Sequence, residues 1–190
     1  MMSTAAEKSP FLFNCHELPR RAGEMREYEL TFEDHGPIGV DLLAIPGDAP
    51  IDVDLRLEAV AQGVLATATV SGEAVGECTR CLEPLTFFVQ EEFQELFYYE
   101  VDHRQKPKGK EIVVEDEDEL LAMEGDFIDL DGPIRDALIL NLPINPLCKE
   151  DCEGLCPGCG LKWIDLPDGH EHLVGDIRWA QLDGWQGPNS

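Results

Sequence analysis

Ile51-Asp52-Val53-Asp54-Leu55-Arg56-Leu57-Glu58 is the stretch that decides the fold class. Apolar and charged residues alternate in it without a break, the period of an antiparallel strand with one face on a core and one in water. Upstream, Tyr28 to Phe32 and Ile38 to Leu42 are short strand-like runs separated by the turn residues Gly36 and Pro37. Downstream, Val64 to Val70 alternates with Ala and Thr, and Ser71-Gly72 reads as a hairpin turn into Ala74-Val75-Gly76-Glu77-Cys78. Leu85 to Tyr99 reads as a long strand rich in aromatic residues, and Phe127 to Leu130 as one more short strand. Asp131 suits the N-cap of a helix near residues 132–142. The helix carries Pro133, Ile134, Ala137, Leu138, Ile139, Leu140 and Leu142, an apolar surface that implies burial against the sheet. Pro143 ends it, and Pro146 steers the chain into Cys148.

The expected fold is α+β: an antiparallel β-rich sheet or partial barrel with one main packed helix and a C-terminal zinc-knuckle module. The expected division is a flexible N-terminal segment (1–26, with Met1 to Lys8 disordered), a β-rich core (27–147), and a cysteine-rich zinc module and tail (148–190). Lys106 to Lys110 and Glu115 to Glu119 read as solvated loop.

Across 190 residues, 14 Lys and Arg stand against 39 Asp and Glu, a formal net charge of -25. Such a surface repels phosphate backbones at long range and attracts basic proteins. Solubility alone is the plainer reason for the acidity. No apolar run approaches the roughly 20 residues that span a bilayer. Residues 1–26 lack the basic-then-apolar layout of a signal peptide. The expected setting is the cytoplasm, with no membrane partner and no small-molecule substrate. In a reducing compartment, cysteines serve as thiolate ligands rather than disulfides.

Six cysteines fall into three metal-ligand spacings: Cys78 with Cys81, Cys148 with Cys152, and Cys156 with Cys159. Thiolates two or three residues apart on a tight turn converge on one point, as tetrahedral zinc requires. Six sulfurs exceed one such ion and fall short of two; His170 and His172, spaced to share a face of an extended segment, supply the remainder. The favoured reading is therefore two structural Zn2+ sites, Cys78, Cys81, Cys148 and Cys152 in one, Cys156, Cys159, His170 and His172 in the other. A single zinc remains possible, held by the four C-terminal cysteines or by the two C-x2-C pairs meeting as in a split zinc ribbon. Cys15 and His16 have no partner spacing, and His35 carries no signal. Sites filled by cysteine on all sides are structural rather than catalytic, and no P-loop, dinucleotide fingerprint or G-x-S-x-G is present. A thiol oxidoreductase acting through Cys78 and Cys81 is the weakest reading, because Pro84 and a strand follow where a helix should begin. Arg80, Lys149, Lys162, Trp163, Arg178 and Trp179 are the candidate contacts for RNA or a partner. The plainer role of the tryptophans is packing against the metal module.

Cys78-Thr79-Arg80-Cys81-Leu82-Glu83-Pro84, Ile128-Asp129-Leu130 and Leu142-Pro143-Ile144-Asn145-Pro146-Leu147-Cys148 carry a resemblance to the YceD family, the large ribosomal RNA subunit accumulation proteins. It continues through Cys152-Glu153-Gly154-Leu155-Cys156-Pro157-Gly158-Cys159-Gly160, and Asp176 to Leu182 looks like the ending of longer-tailed members. It implies a non-enzymatic role in synthesis, processing or stability of large-subunit ribosomal RNA. Taken with the acidity, it suggests a basic ribosomal protein or the assembling large subunit as partner, with direct contact to ribosomal RNA as the alternative.

Overall fold

Alternation carries through the largest sheet. A computed structural model describes residues 9–99 and 121–172; Met1 to Lys8, both charged runs between 106 and 119, Arg178 and Trp179 lie outside the described residues. The strands are β1 (Leu12–Asn14), β2 (Met25–Phe32), β3 (Ile38–Val40), β4 (Leu43–Ile45), β5 (Ile51–Ala59), β6 (Gly63–Glu77), β7 (Pro84–Tyr98) and β8 (Phe127–Asp129), followed by the helix α1 (Asp131–Asn141). In β5, Ile51, Val53, Leu55, Leu57 and Ala59 are buried, while Asp52, Asp54 and Arg56 are exposed. In β6, Val64, Ala66, Ala68, Val70 and Ala74 face the same core.

All pairings in the six-stranded sheet are antiparallel, in the order β2-β5-β6-β4-β3, with β7 on the other edge of β6. The described strands form an open sheet. One edge of β6 is shared: β5 runs along residues 64–71 and β4 along Val75 and Gly76. Between them, residues 45–51 face only residues 72–74, so the chain loops out at Pro46-Gly47-Asp48-Ala49-Pro50. His35, 3 % exposed, anchors that excursion. Its backbone N–H donates to the Gly47 carbonyl, and its ring nitrogens lie 2.6 Å and 2.8 Å from the carbonyl oxygens of Gly36 and Ala49.

The inner face is covered by two pieces. The β1–β8 pair brings Phe11 onto Phe32 and Phe13 onto Tyr28, ring centroids 4.9 Å and 4.8 Å apart. Arg20 donates to Asp126 at 2.7 Å, and that bond with His16 alongside holds the Asp126 carboxyl below the usual range. The helix α1 lies across β7, β3 and β6 with Pro133, Ile134 and Leu138 buried. Arg135 ties it down, donating to Asp131 and to the carbonyls of His35 and Pro37.

Several expectations are corrected. Residues 9–26 are not a flexible lead: Phe11, Cys15 and Leu18 are core residues, because this segment supplies the lid over β2. Burial, with Asp126 adding to it, pushes the Cys15 thiol up to about 12. Ser71-Gly72 is no turn, since β6 runs through it and pairs Ser71 with Gln90 and Gly72 with Val89. The glycine is a packing device instead, for a Cβ there would come within 3.0 Å of the Ile45 side chain. Ile38 to Leu42 is not one strand either: β3 stops at Val40, and the chain returns as β4. Asp131 is the first helical residue rather than the cap, and the Asp129 side chain accepts its backbone N–H at 3.0 Å. Leu140, expected to be buried, is 81 % exposed, because one helix face alone meets the sheet.

Leu138→Ala should therefore cost about 2–5 kcal/mol in urea unfolding, while Leu140→Ala should stay within about 0.5 kcal/mol.

Candidate metal centre

Cys78 stands at the end of β6, where the chain must reverse into β7. The backbone N–H of Cys78 donates to the Glu83 carbonyl at 2.8 Å, and that of Leu82 to the Cys78 carbonyl at 2.9 Å. Leu82 adopts a positive φ of 59° to close the loop. This turn aims Cys78 and Cys81 toward the chain leaving α1. Cys148 and Cys152 arrive there by way of Pro146, whose carbonyl accepts the Thr79 N–H at 2.9 Å. The four sulfurs lie within 4.8 Å of one another. Cys81 and Cys148 are 3.5 Å apart, Cys78 and Cys152 3.8 Å. With zinc–sulfur bonds of ~2.3 Å, the edge of a tetrahedral site is ~3.8 Å, so the donor set fits such an ion.

Electrostatics point the same way. Burial raises the Cys78 thiol, but the backbone N–H groups of Cys148, Arg80 and Cys81 outweigh it and bring the value down to about 6. Cys148 is pushed up to about 12, first by its hydrogen bond with the Cys81 sulfur and then by desolvation. Burial, with Cys81 next, raises Cys152 as well. One thiolate is thus stabilised by the fold while Cys148 and Cys152 resist ionising beside it, a conflict that a cation among the sulfurs would relieve.

The second group is local. Cys156, Cys159, His170 and His172 also place one donor atom each within 4.8 Å of the others. The Cys156 N–H donates to the Leu161 carbonyl at 2.7 Å, and Gly160, at φ 71°, returns its N–H to the Cys156 carbonyl. Burial raises the Cys156 thiol, but the N–H groups of Cys159 and Gly158 bring it below its usual value. The His170 Nε2 lies 3.5 Å from the Cys159 sulfur and 2.8 Å from the His172 Nε2. Gly158 is what lets His172 in, since a Cβ there would overlap the imidazole. Cys156 is buried, whereas Cys159 and His172 are exposed, so this group sits nearer the solvent than the first.

The eight side chains singled out by spacing are thus drawn together in the two groups expected. The candidate contact residues fare differently. Arg80 donates to the Cys152 carbonyl at 2.8 Å and so holds the two segments of the first cluster together. Lys162 pairs with Glu83, which keeps its ammonium above the usual range. Trp163 packs edge-on against His170, centroids 5.9 Å apart. Lys149 is exposed and lies 3.8 Å from Asp151. Neither the Arg80 nor the Lys162 link, nor the anchoring role of His35, was legible in spacing. Gly154 offers the nearest signal: its φ is 81°, and a Cβ there would come within 2.9 Å of the Arg80 carbonyl.

An antiparallel sheet whose longest hairpin brings two cysteines against two more from the segment beyond its helix, with a Cys/His group further on, defines a cysteine-clustered α+β protein. Residues 66–184 match the family described as Large ribosomal RNA subunit accumulation protein YceD, and the chain belongs to that family. An uncharacterized protein of Mycobacterium tuberculosis is 42 % identical over 182 residues, which cover 96 % of this chain and 84 % of its own. One from Mycobacterium leprae is 36 % identical over 181 residues, 95 % of this chain and 80 % of its own. The uncharacterized protein YlbN of Bacillus subtilis is 23 % identical over 174 residues, 90 % of this chain and 92 % of its own. No solved structure matches. The family name ties the chain to accumulation of the large ribosomal RNA subunit. No helix among the described residues is long and apolar enough to cross a membrane.

Gly158→Ala should displace His172 and abolish the metal-dependent absorption of a cobalt-substituted second cluster, leaving the thiolate-to-cobalt band of the first cluster in place.

Proposed function

We propose that the protein is a non-enzymatic factor that supports the synthesis, processing or stability of large-subunit ribosomal RNA, acting mainly through protein contacts in the cytoplasm. Family membership carries this reading, and three features support its particulars. Each Cys/His cluster offers four protein donors, a complete tetrahedral shell that leaves no position for a substrate or an activated water. Arg80 and Lys162 are engaged within the protein, leaving Lys149 as the exposed cation beside the first cluster, which favours protein contact over direct readout of RNA. A net charge of -25 suits a basic ribosomal protein or an assembling particle rich in such proteins. Two structural zinc ions, one per cluster, hold the C-terminal module on the β6–β7 turn. Cys78 and Cys81 are buried in a four-sulfur group, an arrangement that suits a closed metal site rather than an exposed redox pair.

The protein should co-sediment with large-subunit precursors in a salt-sensitive manner, and deletion of its gene should lower large-subunit ribosomal RNA. Equal ribosomal RNA levels with and without the gene, under stress as well as in rich growth, would refute the proposal.

Elemental analysis of untagged protein should give two zinc ions per chain, falling to one in Cys78→Ser and to one in His170→Ala. A single ion in all three proteins would reject the two-site arrangement.

A further inference from the structure

Whereas β1, β8 and α1 cover the inner face of the large sheet, the register sets out what the other face presents. Glu29 lies directly opposite Asp54, Asp54 opposite Thr69, and Thr69 opposite Glu92, so one row across four strands carries three carboxylates. Arg56 is the sole basic residue pointing outward on β2, β5, β6 and β7. Among the described residues, none of Glu29, Asp54 and Glu92 takes part in an ion pair. Like charges directly opposed across a ladder are destabilising. The sheet therefore holds a strained charge pattern that a cation would relieve.

The same face has an apolar end. Phe88 is 64 % exposed, opposite Glu73, and Val75 beside it is 45 % exposed. An aromatic ring left in water on an acidic strand face needs an occupant with both characters. A phosphate backbone is repelled by the carboxylates, and a second copy of this chain would set acid against acid. A lysine- and arginine-rich protein segment with an aliphatic side chain at one end meets both requirements.

We propose that the outer face of the β2-β5-β6-β7 sheet, from Glu29 and Asp54 to Phe88, is the docking surface for such a basic protein segment. This deepens the reading above, on which it rests, by naming the surface and the chemistry of the partner.

The test uses full-length, zinc-loaded protein and a fluorescein-labelled synthetic peptide rich in lysine and arginine with a leucine near one end. Fluorescence anisotropy should show binding that weakens about tenfold from low to physiological salt. Glu29→Gln with Asp54→Asn should weaken it about fivefold, and Phe88→Ser by a similar factor of about five. Glu91→Gln with Glu95→Gln removes the same charge from residues of β7 that point to the opposite face, and should change binding less than about twofold. The Glu29/Asp54 variant should also melt about 1–3 °C higher than the parent, because the opposed charges are gone. Equal losses in the two double variants, or weakened binding together with a lower Tm, would overturn the assignment. So would a dimer on sedimentation that the Glu29/Asp54 variant dissolves, which would make a second copy the occupant. Co-sedimentation with large-subunit particles separates this proposal from the one it rests on. If the parent and the Glu29/Asp54 variant co-sediment equally, the surface is wrong and the function stands. Should the parent bind the peptide yet fail to co-sediment, the surface stands and the function is wrong.

Discussion

Hydrogen bonding along β6 is the constraint on which the rest of the molecule depends. Three strands pair with it directly, β7 on one edge and β5 then β4 on the other, and β2 and β3 join through those neighbours. Its inward residues are small or β-branched, which lets α1 approach while β5 and β7 supply the bulk in Leu55, Leu57 and Phe97. Its last residue leads straight into Cys78. The sheet's main strand and the four-sulfur cluster are therefore mechanically one object, and a shift in β6 register would displace both.

That continuity explains why the first cluster differs from the second. Three of the four cysteines of the first are buried, and its two halves are also joined by the Arg80 guanidinium and the Thr79 backbone. The second is drawn together by a short knuckle with the half-buried His170 and the exposed His172. Both use backbone N–H groups directed at sulfur to favour the thiolate, a device that needs tight turns and hence the glycines and prolines around them.

Much of this was legible from residues alone. Period-two alternation identified β5 and most of β6, cysteine spacing grouped the ligand candidates, and Pro143 marked where α1 ends. What was not legible depended on partners distant in sequence. Gly72 looked like a turn because a glycine in a strand signals a break unless one knows that Ile45 occupies the space where its side chain would be. Phe11 and Leu18 looked like a free lead because nothing local says that β8, more than a hundred residues on, will pair beside them. Leu140 looked buried because composition alone does not say which side of a helix meets the sheet.

Synthesis order gives the first cluster a further consequence. Cys78 and Cys81 leave a translating ribosome while Cys148 and Cys152 have yet to be made. Because N-terminal elements fold first, the β6–β7 hairpin can form with only half of the donor set at its tip. Closure of the four-sulfur group is then a late event that waits for synthesis past Cys152, and a prematurely terminated product lacking residues beyond α1 would carry two uncompensated thiols at the end of its longest hairpin.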